Sequence, residues 1–263
     1  MSDTRFAGKV ALVTGGTSGI GRAVAHGFAR QGAAVVIAGR RVERGEAVRR
    51  ELEEMGAPAL FVAADVSRAQ DVESLVARTL ERFGRIDCAS NNAGALEMGV
   101  FKPTADFDEG EFDGHMALNL KSVWLCMRHE IATMVRQGGG AIVNTSSVNA
   151  LGGVPLNALY ATAKAGVLAL TKSAAQEYAR QGIRVNALVA GAFRTPMLEG
   201  VFERVAPGDA AAAEAGYAQM IPLGRIGRPE EAAEAVLWLC SEAAAYVTGH
   251  SMIVDGGMTA PYR

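Results

Sequence analysis

Cysteine is scarce in this chain of 263 residues, and its scarcity excludes two kinds of protein. The three cysteines, Cys88, Cys126 and Cys240, are odd in number and far apart in the sequence. They therefore form neither a disulfide framework nor a metal-ligand spacing. We expect no metal site, and a protein of the reducing cytoplasm.

Positive charge and long apolar runs are also in short supply. Lysine and arginine together number 26 against 28 acidic residues, which leaves no basic excess to hold a nucleic acid. The first ten residues contain no apolar segment of a signal peptide, and no uncharged apolar run approaches the roughly 18 residues of a membrane span. We therefore expect neither nucleic acid nor a membrane as a partner.

The sequence does contain a regular alternation of short β-branched runs and longer amphipathic stretches. This alternation predicts βαβ units with right-handed crossovers and a mostly parallel sheet. We expect one α/β domain over residues 1–263, a doubly wound Rossmann-type sheet flanked by helices, with ligands at the carboxyl ends of the strands. The predicted strands are Val10–Val13, Ala34–Ile37, Ala59–Val62, Ala141–Val143 and Ile183–Asn186, and the predicted helices include Gly45–Met55, Ala69–Phe83 and Ala158–Glu177.

Four glycines mark the ends of helices in this pattern. Each follows a charged helical turn and precedes an apolar strand, where a left-handed residue is needed to end the helix. They are Gly32, Gly56, Gly84 and Gly182.

A glycine-rich loop follows the first strand directly and opens a helix. The free N–H groups and partial positive charge of a helix N-terminus favour a pyrophosphate, and glycines let the backbone approach it. A turn without a ligand would explain the loop alone, but its position at the start of a βαβ unit favours a dinucleotide. The cofactor-binding residues predicted here are Gly15, Thr17, Ser18, Gly19, Ile20 and Gly21.

The end of the second strand favours NADP(H) over NAD(H). An acidic residue there would bind the ribose 2′-hydroxyl of NAD, but Gly39 holds that position and Arg40 and Arg41 follow it. Guanidinium groups suit a 2′-phosphate because they are always charged and bind as a fork. If the arginines only begin a solvated helix, NAD(H) is the alternative. Asp65 is expected either to accept a hydrogen bond from the adenine amine or to form a turn with Ser67.

Three polar residues downstream predict proton transfer to a substrate oxygen. Tyr160 and Lys164 are four residues apart in a predicted helix and so share one face. The usual pKa of tyrosine is about 10, and we expect the nearby ammonium to lower it. Ser147, after a predicted strand, would hold the substrate oxygen against Tyr160. Behind a dinucleotide loop, these residues predict hydride transfer between a nicotinamide and a carbonyl or alcohol carbon.

With these motifs in place, the sequence resembles the short-chain dehydrogenase/reductase family over essentially its whole length. The resemblance implies that Ser147 orients the carbonyl, that Tyr160 donates or accepts the proton, and that Lys164 binds the nicotinamide ribose and lowers the pKa of Tyr160. The segments that carry it are Thr14–Gly21, Asn91–Gly94, Asn119, Ser147, Tyr160 with Lys164, and the tail segments Val247–Gly249 and Asp255–Gly257.

The resemblance also implies supporting roles around the cofactor. Asn119 would sit in a helix and hold, through its backbone, a water that links Lys164 to solvent. Thr195 would touch the nicotinamide carboxamide, and the backbone at Val66 the adenine. The residues implied to brace the cofactor are Asn92, Ala93 and Gly94.

The sequence departs from the family pattern at one loop, and the same resemblance implies an oligomeric state. The family commonly has Pro-Gly before the carboxamide-contacting threonine, whereas Ala190-Gly191 stands here, so we expect a looser loop. The family implies a homotetramer, and the small apolar residues of the helix from Ala158 favour a helix-to-helix contact. The C-terminal strand near Ile253 would form a second interface.

Substrate specificity is expected from three loops at the carboxyl ends of the later strands, Gly94–Asp108, Asn149–Asn157 and Phe193–Pro222. The third has weak periodicity and predicts a lid over about residues 193–222. The apolar loop residues predict a small, moderately apolar alcohol or carbonyl substrate, although packing of the lid on the core would explain them equally. They include Leu96, Met98, Val100, Phe101, Leu151, Val154, Leu156, Met197 and Met220.

Two other functions compete with this prediction. A dinucleotide-binding regulatory protein without turnover would usually lack the tyrosine or the lysine, and both are present. A sugar-nucleotide epimerase or dehydratase of the extended type needs a larger substrate domain than the stretch after Lys164 provides.

Overall fold

A parallel sheet forms the centre of the computed structural model, which describes residues 4–96 and 101–260. Within these residues the sheet has seven strands in the order β3-β2-β1-β4-β5-β6-β7. The order reverses between β1 and β4, so a crevice opens at their carboxyl ends. The strands are β1 Val10–Thr14, β2 Ala34–Gly39, β3 Ala59–Ala63, β4 Cys88–Asn91, β5 Gly140–Ser147, β6 Ile183–Ala190 and β7 Ser251–Val254.

Helices cover both faces of the sheet because successive side chains of a buried strand point to opposite sides. Val13 of β1 packs in a core with α1, α2 and α9, whereas Leu12 packs in a core with α3, α5 and α6. The helices of the described residues are α1 Gly19–Arg30, α2 Val42–Glu54, α3 Ala69–Phe83, α4 Glu109–Met116, α5 Ser122–Gln137, α6 Ala158–Tyr178, α7 Pro196–Val205, α8 Ala210–Gln219 and α9 Pro229–Cys240.

The predicted doubly wound α/β fold is confirmed. Strand β4 is not among the five strands predicted from apolar runs, and the other differences lie at element ends. Helix α2 begins at Val42 rather than Gly45, because its first turn is exposed and shows no apolar period. Strand β5 runs through Ser147, which pairs with Ala190 of β6, so Ser147 ends the strand rather than following it. The four glycines predicted to end helices all have φ between 75° and 88°.

The segment expected to be a lid contains two short helices, α7 and α8, although its sequence shows only weak periodicity. The side chains of Thr195 and Asp209 cap their N-termini by accepting hydrogen bonds from Leu198 and Ala212. The helices share a small core of their own, formed by Ala192, Phe202, Ile221 and Ile226 with Leu198, Ala210, Ala213, Tyr217 and Ala218.

The loop that lacks the family's proline is held by backbone hydrogen bonds. The N–H of Gly227 donates to the carbonyl of Ala192 at 3.0 Å, and the N–H of Arg194 donates to the carbonyl of Gly227 at 2.8 Å. Gly191 donates to Val254 of β7 at 2.9 Å. These bonds restrain the chain that proline would otherwise restrain.

Neither a membrane-spanning helix nor a metal cluster is found among residues 4–96 and 101–260. None of the helices there is both long enough and apolar enough to cross a bilayer. No three side chains of His, Cys, Asp or Glu in those ranges are grouped as metal ligands. The three cysteines are buried free thiols.

Candidate active site

The glycine loop between β1 and α1 is packed so closely that its glycine positions have little or no room for side chains. Gly15 and Gly19 have φ of 65° and 52°, a region that L-residues with side chains rarely adopt. A Cβ on Gly21 would overlap the carbonyl oxygen of Gly15, so α1 rests directly on the loop. Ser18 precedes α1 without a side-chain capping bond. The N–H groups of the first turn, including that of Ile20, are therefore left for an anionic ligand.

The loop after β4 braces this glycine loop. Thr14 at the end of β1 accepts hydrogen bonds through Oγ1 from the N–H groups of Asn92 at 3.1 Å and Ala93 at 3.2 Å. A Cβ on Gly15 would lie 2.9 Å from the Cα of Ala93, so the two loops are in direct contact. The β1 and β4 edges of the crevice are thus fixed to each other.

The end of β2 offers cationic rather than acidic side chains. A Cβ on Gly39 would lie 2.8 Å from Cγ2 of Thr17, which leaves no room for a carboxylate side chain at that position. Arg40 and Arg41 are both exposed, and Arg41 is the residue before α2. Two solvent-exposed arginines therefore follow the strand end that contacts Thr17 of the glycine loop.

Asp65, after β3, forms the turn that was one of its two expected roles. Its Oδ1 accepts hydrogen bonds from the N–H of Ser67 at 3.0 Å and from its hydroxyl at 2.7 Å. Burial raises the pKa of Asp65, but the Ser67 hydrogen bonds and the charges of Arg40 and Arg68 outweigh it and lower the pKa overall. The neighbouring Val66 is buried. The positive charge of Arg40 after β2 thus acts on the carboxylate of Asp65 after β3.

Tyr160, Lys164 and Ser147 converge at the carboxyl edge of β5. Ser147 accepts the N–H of Asn149 at 3.2 Å, which leaves its own hydrogen for a bond to the Tyr160 hydroxyl. Lys164, one turn along α6, places Nζ at 5.7 Å from the Tyr160 ring centroid. That ammonium donates to the carbonyl of Thr145 at 2.9 Å. A phenol, a hydroxyl and an ammonium therefore share one enclosed space.

Burial dominates the titration of this cluster. It raises the pKa of Tyr160 to about 12, although the hydrogen bond with Ser147 acts in the opposite direction. It lowers the pKa of Lys164 to about 8. The sequence predicted a lowered pKa for Tyr160, whereas burial raises it, and the Lys164 ammonium, which donates to the Thr145 carbonyl, does not offset that effect.

Asn119 is buried beside this cluster, in a π-helical turn, Ala117–Lys121, that joins α4 to α5. Its side chain accepts from the N–H of Ala95 at 3.0 Å and donates to the carbonyl of Ala95 at 3.1 Å. A Cβ on Gly94 would lie 3.0 Å from Asn119 Oδ1 and 3.3 Å from Lys164 Nζ. Gly94 thus permits a close approach of Asn119, Lys164 and the loop after β4.

Thr195 connects the start of the lid segment to the glycine loop. Its Oγ1 caps α7, and its Cγ2 would lie 3.0 Å from a Cβ on Gly19. The predicted nicotinamide side and pyrophosphate side of the crevice are therefore adjacent.

Thr145 and Ser146 position Lys164, and the sequence prediction did not include either of them. Thr145 accepts the ammonium through its carbonyl, and Ser146 Oγ donates to the Lys164 carbonyl at 2.8 Å. The polar run from Asn144 to Ser147 at the end of a buried strand was the signal that could have identified them.

Two loops on the substrate side are bonded to each other in an uncommon backbone conformation. Phe101 and Leu156 have φ of 70° and 64°, and the N–H of Phe101 donates to the carbonyl of Leu156 at 2.9 Å. Both side chains are exposed, as are those of Leu151, Met197 and Met220. Met98 and Val100, also expected here, lie outside the described residues.

The sheet order and the crevice are those of a Rossmann-type dinucleotide-binding fold. Comparison with known proteins identifies the family within that class of fold. A family model described as enoyl-(acyl carrier protein) reductase matches residues 15–259. A 2,5-dichloro-2,5-cyclohexadiene-1,4-diol dehydrogenase from Sphingobium indicum is 42% identical over 261 residues, which cover 99% of this chain and 100% of the relative.

Solved structures agree with the sequence comparison. A crystal structure of levodione reductase superposes with a TM-score of 0.94 at 40% identity, covering 98% of this chain and 100% of that one. The L-sorbose reductase of Gluconobacter frateurii, complexed with NADPH and L-sorbose, has a TM-score of 0.93 at 32% identity, covering 99% and 100%.

This chain belongs to the short-chain dehydrogenase/reductase family, as its motifs indicated. It is an oxidoreductase of a family that uses a nicotinamide cofactor. Because the relatives are named as dehydrogenases and reductases, a regulatory protein without turnover is not favoured.

Proposed function

We propose that this chain is an NADP(H)-preferring enzyme that interconverts a ketone and a secondary alcohol, with Ser147, Tyr160 and Lys164 as its catalytic residues. The observation that carries this proposal is that Ser147 interacts with Tyr160, while the Lys164 ammonium lies near the Tyr160 ring and near Gly94 of the loop after β4. When bound, the nicotinamide would supply or accept a hydride.

In the reductive direction, the residues of this chain handle the oxygen of the substrate. Ser147 and Tyr160 donate hydrogen bonds to the carbonyl oxygen, which polarises it and fixes its position. Tyr160 then gives up its proton as that oxygen gains negative charge. Burial disfavours the resulting phenolate, and the positive charge of the Lys164 ammonium counteracts this effect by stabilising it. A water held by the Asn119 backbone supplies the replacement proton.

The described residues fit a dinucleotide along the crevice. Close contacts at Gly15 and Gly21 keep the backbone of the loop accessible and leave N–H groups for a pyrophosphate, and the exposure of Arg40 and Arg41 after β2 supports a 2′-phosphate as their ligand. The residues that would hold it are Gly15, Thr17, Ser18, Gly19, Ile20, Gly21, Arg40, Arg41, Asp65, Val66, Asn92, Ala93, Gly94, Tyr160, Lys164 and Thr195.

Replacing both Arg40 and Arg41 with alanine is expected to raise KM for NADPH by about 10-fold, the effect of losing one or two charge-assisted hydrogen bonds at an exposed site. KM for NADH should change by less than about twofold, because the ribose hydroxyl needs no cation. The measurement is the initial rate with each cofactor. Arg44→Ala, an exposed arginine in the first turn of α2, is the matched control. Equal changes for both cofactors would refute the NADP(H) preference.

The exposed apolar side chains of the substrate loops support a small, moderately apolar substrate. The Sphingobium indicum relative is named for a diol on a six-membered carbon ring. We therefore propose cyclic ketones and secondary alcohols as the first compounds to test, followed at the nicotinamide absorbance band with NADPH and NADH. Linear ketones and sugars serve as comparison sets. Failure of all of them to turn over, with NADPH bound, would return the regulatory alternative to consideration.

The domain organisation and assembly are also part of this proposal. Residues 1–263 would form one domain, with α7 and α8 closing over the substrate as a lid. The exposed small residues Ala165 and Ala169 on α6 and the exposed Ile253 on β7 support two self-association surfaces and hence a homotetramer. Analytical ultracentrifugation gives the mass of the assembly, and a monomer would contradict it.

A further inference from the structure

A carboxyl group is buried directly behind the cofactor edge without a cation beside it. Glu130 of α5 is 0% exposed. Asn91, the last residue of β4, donates a hydrogen bond through Nδ2 to Glu130 Oε2 at 2.9 Å. Among the described residues this amide is the only hydrogen-bond partner of the Glu130 carboxyl group. Burial of a carboxylate in that setting is costly, because nothing compensates its charge.

The pair leaves two oxygen atoms without partners. Glu130 Oε1 and Asn91 Oδ1 are both buried and accept no hydrogen bond from the described residues. Both are acceptors when Glu130 is ionised, so they cannot satisfy each other in that state. A single proton on Glu130 changes this, because the carboxyl then carries a donor of the kind that Asn91 Oδ1 lacks.

The orientation of the Asn91 amide is fixed by a chain of neighbours. Thr171 Oγ1 donates to the carbonyl of Val167 at 2.8 Å, so it accepts the Nδ2 of Asn144 at 3.0 Å. Asn144 Oδ1 is then the acceptor for Asn91 Nδ2 at 3.0 Å. Since the two hydrogens of that Nδ2 go to Asn144 and Glu130, the amide of Asn91 cannot be turned over to supply the missing donor.

We propose that Glu130 is a positioning residue held as a neutral acid, which donates its proton to Asn91 Oδ1 and accepts from Asn91 Nδ2, so that the paired amide fixes the start of the cofactor-bracing loop. Consistent with this, burial raises the pKa of Glu130 to about 7, outweighing the hydrogen bond from Asn91. The thiol of Cys126 lies one turn earlier on α5, and its pKa is raised well above its usual value by burial and by the charge that Glu130 carries when ionised. The other members of the network are Asn91 of β4, Asn144 of β5 and Thr171 of α6, and none of these side chains titrates. No charged side chain of any described element, α3 included, contributes to the pKa of Glu130.

Glu130 acts on the cofactor through Asn91 alone. The next two residues, Asn92 and Ala93, are the ones that Thr14 holds against the glycine loop. If Glu130 were ionised, its Oε1 and Asn91 Oδ1 would both be acceptors without a donor, and the loop that follows Asn91 would be less well fixed. This step rests on the proposed function, because it assigns the loop to the nicotinamide cofactor.

The sign of the pH dependence follows from the raised pKa. The folded protein retains the Glu130 proton above the usual carboxyl pKa of about 4.3, so the unfolded state loses it first. The contribution of the pair to stability is therefore complete below about pH 4.3, falls as pH rises towards 7, and is absent above that.

The test uses Glu130→Gln, whose amide keeps the shape and hydrogen bonds of the neutral acid at every pH. We expect the difference in Tm between this variant and the wild type to be small at about pH 5 and to grow in favour of the variant up to about pH 8. The Kd of the wild type for NADPH should weaken several-fold more over that range than the Kd of the variant. Glu54→Gln, an exposed helical glutamate on α2, controls for the substitution itself and should follow the wild type.

Infrared spectroscopy of the wild type keeps the proposal testable if the variant does not fold. A carbonyl band of a protonated carboxylic acid should persist at about pH 6, where exposed carboxyls are ionised, and disappear by about pH 9. Absence of that band would overturn the neutral acid, and parallel Kd profiles would overturn the positioning role. A wild type that binds no NADPH would instead refute the proposed function, while leaving the infrared and Tm results valid.

Discussion

Tyr160→Phe is expected to lower kcat by about 1,000-fold, within the range that a positioned general acid contributes. The substitution removes only the hydroxyl, and the aromatic ring that fills the buried space beside Lys164 remains. The Kd for NADPH should stay within about twofold, because the glycine loop and the arginines supply most of the binding. The measurements are single-turnover rates and a fluorescence titration with NADPH.

Tyr178→Phe, at the other end of α6, is the matched control for this substitution. It removes the same atom from the same helix away from the crevice, so its kcat should equal that of the wild type. Activity above a few per cent of the wild type in Tyr160→Phe would show that another group supplies the proton. In that case Ser147, bonded to the phenol, is the next residue to replace.

Gly21→Ala is expected to weaken NADPH binding by at least about 100-fold, the equivalent of roughly 3 kcal/mol of overpacking. The new Cβ would overlap the carbonyl oxygen of Gly15 and lie 2.5 Å from Asn92 Nδ2. One of these neighbours is backbone and the other belongs to the bracing loop, so relief requires α1 and the loop to separate. The geometry of the pyrophosphate site would be lost with that movement.

Gly27→Ala tests whether this effect is specific to the loop. Gly27 lies in the same helix, but its Cβ would meet the end of the Leu237 side chain at 2.5 Å, which can move. This variant should lower Tm modestly and bind NADPH as the wild type does. Equal losses of binding in both variants would mean that α1 as a whole, rather than the contact of Gly21 with Gly15, determines affinity.

The sheet was predictable because its determinants are local. Runs such as Val10–Val13 are apolar and short, and the glycines after helices need φ values that other residues avoid. The start of α2 was misplaced because its first turn is exposed, and exposed residues such as Val42 show no apolar periodicity. Sequence reasoning therefore succeeds where one segment decides its own conformation.

The contacts around the cluster were less predictable because they join distant segments. That Lys164 bonds to the carbonyl of Thr145, and Asn119 to both backbone groups of Ala95, depends on how a π-helical turn and a strand end are placed. The raised pKa of Tyr160 has the same origin, since burial is a property of the assembled fold. The burial of Glu130 was not predictable from the sequence, because charged residues in helices are usually exposed.

The chain after β4 is fixed twice within a few residues, first to Thr14 and then to Asn119. These two anchors end at Ala95. Insertions or replacements further along the chain would therefore be mechanically insulated from the hydride-transfer geometry. Such insulation lets evolution exchange substrates on this scaffold while the redox apparatus stays unchanged.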